Sequence, residues 1–298
     1  MSDSQLDQQS DQQSDQQPDQ QPDRQLPIGV FDSGMGGLTV LSALAKAMPN
    51  EQFIYLGDSA RLPYGTKSPD TVVRYARQAS KELVRRGVKA LVVACNTASA
   101  SALKMLAQDF APLPVYGVVE PGAQAAAMQA DASGVLVLAT ESTILGGAYQ
   151  RALLQQNPSL TVFGRACPLW VTLAEQGWVG DQAASLTQHT LEHGLRGFVD
   201  GAAYASSHPK TVLLGCTHFP LFRQQIEALV GADVQVVDSA QTTAATVSDD
   251  LSKLDLLRDT PASDNEMVFL ATDGVERFRK VGGYFFGGPL TNVSLVDL

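Results

Sequence analysis

Lys89-Ala90-Leu91-Val92-Val93-Ala94-Cys95-Asn96-Thr97 and Lys210-Thr211-Val212-Leu213-Leu214-Gly215-Cys216-Thr217-His218 share one plan. Each leads from a lysine through a short apolar run into a cysteine followed by small polar residues. Apolar runs of this length, closed by polar residues, are the mark of strands buried on both faces of a parallel sheet. A thiol just past the end of such a strand stands where open α/β sheets hold their ligands. Two of them, one from each half of the chain, predict a sulfur on either face of a bound molecule. Two-base proton transfer at carbon needs that arrangement.

Outward from these runs the same rhythm repeats. The first half offers strands at Ile28–Phe31, Phe53–Leu56, Ala90–Ala94 and Val115–Val119; the second offers Val135–Ala139, Thr161–Phe163, Thr211–Leu214 and Val234–Val237. Strand starts are spaced 25, 37 and 25 residues apart in the first set and 26, 50 and 23 in the second, with the cysteine after the third strand each time. Helical patterns fill the gaps, at Leu38–Met48, Pro69–Arg86, Asp181–Leu195 and Phe222–Leu229. Strands alternating with helices read as βαβ units. The expected fold is α/β, with two pseudo-symmetric domains built on parallel sheets and a site in the cleft between them. Met267–Leu298 reads as a further strand (Val268–Ala271), a short helix (Gly274–Val281) and a glycine-rich finish that returns to the first domain. The boundaries expected are a tail at 1–26, a first domain at 27–120 with 222–298, and a second domain at 121–221.

Residues 7–23 repeat Asp-Gln-Gln-Ser or Asp-Gln-Gln-Pro with a period of four. Such a stretch has no apolar surface to bury and reads as disordered, outside the catalytic fold. Residues 1–26 hold six aspartates against one arginine, Arg24, within a net charge of −10 for the 298 residues. That balance argues against nucleic acid or an anionic membrane surface as a partner. No signal segment and no run of eighteen apolar residues is present. Three cysteines give no disulfide framework. A cytoplasmic protein with reduced thiols is expected.

Further candidates flank the cysteines. Phe31-Asp32-Ser33-Gly34-Met35-Gly36-Gly37 is an acid followed by a glycine turn into a helix, able to bring backbone N–H groups to an anion or simply to turn tightly with Asp32 as cap. It is not a dinucleotide fingerprint, because Thr39 stands where the third glycine belongs. Gly57-Asp58-Ser59-Ala60-Arg61-Leu62-Pro63-Tyr64-Gly65 is a mixed polar loop suited to gripping a small polar molecule. Asp32 can partner Cys95, and His218 can stabilise a thiolate at Cys216. Cys167 has no polar company and reads as structural. No metal is expected, since two cysteines and one histidine are short of ligands; His189 and His193 have a zinc-like spacing on a surface helix with no third ligand. A single-cysteine hydrolase and a redox pair stay open from these residues alone.

At these positions the chain resembles the cofactor-independent aspartate/glutamate racemase family. The stretches that carry the resemblance are Phe31-Asp32-Ser33-Gly34 with Gly36-Gly37, Leu62-Pro63-Tyr64-Gly65, Cys95-Asn96-Thr97-Ala98-Ser99, Val119-Glu120-Pro121-Gly122, Ala166-Cys167-Pro168-Leu169, Gly215-Cys216-Thr217-His218-Phe219-Pro220-Leu221 and Val237-Asp238-Ser239-Ala240. Thr-His after the second cysteine is similar to the glutamate branch; a Glu commonly follows that Cys-Thr in the aspartate branch. The resemblance implies interconversion of L- and D-glutamate without pyridoxal phosphate, metal or other cofactor, supplying D-glutamate for peptidoglycan. It implies Cys95 and Cys216 as the proton carriers, assisted by Asp32 and His218, with Glu175 a further candidate on the His218 side. It implies substrate contacts from Asp32, Ser33, Tyr64, Gly65, Asn96, Thr97, Thr217 and His218. Some members with an N-terminal extension need UDP-N-acetylmuramoyl-L-alanine as activator, and dimerisation is common, so that ligand and a homodimer are the expected partners beside the substrate. The alternatives are a racemase for aspartate or another amino acid, and a cysteine hydrolase.

Overall fold

The computed structural model describes residues 23–179, 184–198, 208–261 and 267–298. In chain order the elements are β1 (Ile28–Asp32), α1 (Leu38–Ala47), β2 (Phe53–Gly57), α2 (Pro69–Arg85), β3 (Ala90–Val93), α3 (Asn96–Asp109), β4 (Val115–Gly117) and α4 (Val119–Gln129). There follow β5 (Val135–Ala139), α5 (Glu141–Gly146), α6 (Ala148–Gln156), β6 (Val162–Ala166), α7 (Pro168–Glu175), α8 (Ala184–Leu195), β7 (Thr211–Gly215), α9 (Arg223–Val230), β8 (Gln235–Asp238) and α10 (Ser239–Lys253). The chain closes with β9 (Val268–Ala271), α11 (Val275–Phe286) and β10 (Val293–Leu295).

Two parallel sheets result. The first has the order β10-β9-β2-β1-β3-β4, the second β6-β5-β7-β8. The repeat in the sequence reappears here as topology: in each sheet the four rhythmic strands lie in the order second, first, third, fourth. Strand order therefore reverses between β1 and β3, and again between β5 and β7. Such switch points open a crevice at the carboxyl ends of the strands. Cys95 and Cys216 follow β3 and β7, so each thiol is delivered to a crevice by topology alone.

Every residue of β1, β3, β5 and β7 is buried. Alternate residues enter different cores: Ile28, Val30, Leu136 and Val212 join one cluster that runs through both domains, Phe31 and Val93 a second, and Val137 and Leu213 a third. Each such side chain contributes roughly 1.5–3 kcal/mol on burial. The chain crosses from the first sheet to the second through α4 and returns through α10, and the two crossover helices pack on one another.

Three expectations shift. β8 pairs with β7, so the chain returns to the first sheet after Asp238 and not at residue 222. Val119 begins α4 instead of ending β4. Asp23–Leu26, expected in the tail, are seated: Lys89 Nζ donates to the Arg24 carbonyl at 2.7 Å, and Arg24 pairs with Asp259 at 2.5 Å and with Asp255. Lys89 itself is wholly buried against Glu51, 2.6 Å away. Residues 1–22 of the tail, and 181–183 of the helix expected at 181–195, lie outside the described residues.

Candidate active site

Cys95 is the N-cap of α3, and its Sγ accepts from the Ala98 N–H at 3.5 Å. It also meets the Ser33 hydroxyl at 3.4 Å. A helix N-terminus and a hydroxyl both favour a thiolate. Burial is the stronger influence here, joined by the charge of nearby Asp32, and the Cys95 thiol is pushed up to about 12. Burial therefore favours the thiol form of Cys95.

Cys216 is placed differently. Its Sγ lies 3.6 Å from His218 Nδ1, and His218 Nε2 lies 2.6 Å from Glu175 Oε1. Burial alone would strip the proton from His218. The hydrogen bonds and charges of Cys216 and Glu175 outweigh it and hold the imidazole well above its ordinary 6.5. Sulfur, imidazolium and carboxylate thus form a buried relay in which Nδ1 can stabilise a thiolate or return a proton to it.

Both sulfurs line one cavity of about 150 Å³, several times the roughly 30 Å³ of a water in the liquid. Ser33, Tyr64, Gly65, Asn96 and Thr97 reach it from the first sheet, and Thr217, His218 and Glu175 from the second. Asp32 is the exception. It is wholly buried and does not line the cavity; its Oδ2 accepts from the Gly34 N–H at 2.9 Å. Burial raises the Asp32 carboxyl above its usual value, against the pull of the His218 charge. Tyr64 is fixed by its hydroxyl on Asp58 Oδ2 at 2.5 Å, a carboxylate that also takes Arg61 Nε at 2.7 Å and Thr272 Oγ1 at 2.9 Å.

Two features around the cavity escaped the sequence reading. Thr140 and Thr143 form a hydroxyl trio with Thr97, at 3.0 Å for Thr97–Thr140, 3.3 Å for Thr97–Thr143 and 2.9 Å for Thr140–Thr143. Thr140 follows β5 as Ser33 follows β1, so the repeat itself held the signal. Tyr149 on α6 meets Asn96 Nδ2 with its hydroxyl at 2.6 Å, leaving Asn96 Oδ1 without a hydrogen-bond partner. The Leu62-Pro63 segment lines the cavity wall beside Tyr64. Cys167 caps α7 and packs in the shared core. His189 bonds the Ser185 carbonyl, and among the described residues no group of three or more His, Cys, Asp or Glu side chains could hold a metal ion.

Comparison with known proteins agrees with this geometry. The sequence matches the Asp/Glu/Hydantoin racemase family over residues 28–247. A glutamate racemase of Geobacter metallireducens is 47% identical over 271 residues, covering 91% of this chain and 96% of the relative. The structure of glutamate racemase from Francisella tularensis in complex with D-glutamate is similar at TM-score 0.82 and 32% identity, covering 92% of this chain and 98% of that one. The Escherichia coli glutamate racemase in complex with L-glutamate and the activator UDP-MurNAc-Ala is similar at TM-score 0.75 and 28% identity, covering 92% and 99%. Matched over well beyond half its length, with both strand-end cysteines on one cavity, the chain belongs to the Asp/Glu/Hydantoin racemase family.

Proposed function

We propose that this protein is an isomerase that interconverts L- and D-glutamate by proton transfer at the α-carbon. The observation that carries the reading is the pair of cysteines after corresponding strands of two sheets, both lining one small cavity. With D-glutamate, a Cys95 thiolate takes the α-proton: the S–H bond forms and the C–H electron pair stays on carbon. The Cys216 thiol then gives its proton to the opposite face. L-glutamate reverses the roles, with Cys216 as base beside His218 and Glu175.

A thiolate is a weak base for a proton next to a carboxylate, so the site must exclude water and aim hydrogen-bond donors at the charge that develops. The buried thiols and the donors from Ser33, Asn96, Thr97 and Thr217 support that requirement. Asp32 acts from behind Cys95, as its proton partner, and does not itself line the cavity. D-glutamate supply for the cell wall and a cytoplasmic location follow from the same reading. Among the described residues no helix is long and apolar enough to cross a membrane.

The test is incubation of purified protein with L-glutamate in D2O, with optical activity and α-deuterium followed together. Loss of optical activity with deuterium entering the product supports the reading. Cys95→Ser should then lower the rate by at least about 10²-fold, the scale of a lost acid–base group. A cysteine hydrolase acting through Cys216 alone would tolerate that change. Parallel runs with UDP-N-acetylmuramoyl-L-alanine decide whether this chain shares the activator of the Escherichia coli relative, and aspartate as substrate tests the neighbouring branch.

A further inference from the structure

Helix α11 lies between β9 and β10 of the first sheet, yet its side chains end on second-sheet residues that serve Cys216. The Phe285 ring stands nearly perpendicular to the His218 imidazole, at 82° with centroids 5.3 Å apart. Arg277 Nη2 donates to the backbone carbonyl of Glu175 at 2.8 Å. Between them, Val281 and Tyr284 close over Gly177, where a β-carbon would stand 3.7 and 3.4 Å from their side chains. Arg277, Val281 and Phe285 are spaced four residues apart, so they form one stripe along the helix.

The two thiols are therefore supported unequally. Cys95 has both its hydrogen-bond partners in its own domain: its Sγ accepts from the Ala98 N–H and donates to the Ser33 hydroxyl. His218 is anchored at its two ring nitrogens by Cys216 and Glu175, while the flank of its ring is packed by a residue from the opposite domain. The imidazole can meet sulfur and carboxylate together only in one orientation, and Phe285 closes the space into which the ring would otherwise turn. Arg277 fixes the end of α7, from which Glu175 projects.

We propose that Phe285 and Arg277 are positioning residues for proton transfer at Cys216, holding the His218–Glu175 pair in line with the sulfur from across the cleft. The proposal rests on the two-thiol racemisation described above. It makes α11 a condition of the Cys216 step and not of the Cys95 step.

The experiment compares α-deuterated with ordinary L- and D-glutamate on wild-type protein, Phe285→Leu, Arg277→Met and Arg277→Lys. If wild-type protein neither racemises glutamate nor exchanges its α-proton, the functional reading fails before the proposal is reached. If it does, Phe285→Leu should lower kcat/KM about 10–100-fold, the penalty of a displaced catalytic group. Both directions must fall together, because enantiomers have an equilibrium constant of one. The isotope effects separate the steps. A slower Cys216 step raises the effect for L-glutamate, where it is the abstraction. It lowers the effect for D-glutamate, where abstraction at Cys95 becomes a rapid pre-equilibrium. Arg277→Met should shift both effects the same way, with Arg277→Lys restoring them by donating to the same carbonyl. Lower rates with both isotope effects unchanged would mean fewer active molecules and would overturn the proposal, as would a rise on the D-glutamate side. Should Phe285→Leu fail to fold, the exposed Arg277 carries the test alone.

Discussion

Gly36 of the first domain lies so close to His218 of the second that a β-carbon on it would stand 2.5 Å from both Cε1 and Nδ1 of the imidazole, and 2.5 Å from Thr217 Oγ1. Thr39, just beyond the same turn, donates to the Thr217 carbonyl at 3.2 Å. The glycine turn is thus a seat for the Cys216 loop. Gly36→Ala must displace the imidazole or part the domains. The expected result is a loss of about 10²-fold in kcat/KM, the scale set by a misplacement near 1 Å, with a melting temperature close to wild type. A near-wild-type rate would show that the domains meet differently in solution.

Gly65 makes the corresponding approach on the other side of the cavity, where a β-carbon would stand 2.7 Å from Thr140 Cβ. Its neighbour Tyr64 is locked on Asp58, so Thr140 is the partner that must yield. Moving Thr140 breaks the hydroxyl trio with Thr97 and Thr143 while leaving both thiols in place. Gly65→Ala should raise KM for both enantiomers more than it lowers kcat, the pattern of lost ground-state binding. Steady-state kinetics in the two directions checks it.

Asp32 works against the stability of the protein. Its carboxyl is buried and its folded pKa is raised above the ordinary 3.8, so the charged form is the costly one. That cost is absent below pH 3.8, where the carboxyl is neutral folded or unfolded, and is fully felt above the folded pKa. Asp32→Asn keeps the shape without the charge. It should raise the melting temperature at neutral pH by about 2–4 °C, the shift given by about 1 kcal/mol, with the gain shrinking as pH falls. Racemisation should fall at the same time. A variant no more stable than wild type at pH 7 would contradict the assignment.

The strands were legible because a parallel sheet buried on both faces leaves an unbroken apolar run, and Val135–Ala139 and Val268–Ala271 match to the residue. The helices divide by environment. α2 carries an apolar stripe against a charged face and could be read nearly to its ends. α3 and α4 bury mainly small residues, such as Ala98, Ser99 and Ala102 on α3 and Gly122, Ala123 and Ala126 on α4, and so show little apolar stripe. β10 is a three-residue edge strand with Ser294 and Leu295 exposed, too short to show a period. Cys95 and Cys216 could be found because strand-end position follows from spacing. Tyr149, Arg277 and Phe285 could not, because they act across a cleft whose closure no local pattern records.

His218 shares the direction of the Asp32 pH signature, stability falling as pH rises, but here a favourable charge is lost where at Asp32 a costly one is gained. Its folded pKa is raised above 6.5, so the stabilisation from its proton is fully present below about pH 6.5 and is lost as pH rises through the folded value. Glu175 supplies part of it through the 2.6 Å bond to Nε2. Glu175→Gln should therefore melt earlier than wild type at pH 6, by on the order of 1.5–3 kcal/mol for a charged hydrogen bond. The two melting curves should converge at alkaline pH. A gap independent of pH would mean that His218 is neutral throughout.

Tyr149 tests whether the cleft is pinned for binding or only for stability. Its hydroxyl spans the domains to Asn96 Nδ2 at 2.6 Å, and burial raises its pKa, so it stays neutral. With Nδ2 engaged, the unpartnered Asn96 Oδ1 is the atom left to accept from a ligand in a cavity that Asn96 lines. An ammonium is the group of glutamate that can donate to it. Tyr149→Phe keeps the ring and removes the pin, leaving a buried donor unmatched at about 1–3 kcal/mol. The amide is then free to turn, and KM should rise with kcat much less affected. A lower melting temperature with KM unchanged would make Tyr149 a structural tie between the domains. A rise in KM with kcat kept would make Asn96 a binding residue, and the equilibrium constant of one requires the loss in kcat/KM to be the same for D- and L-glutamate.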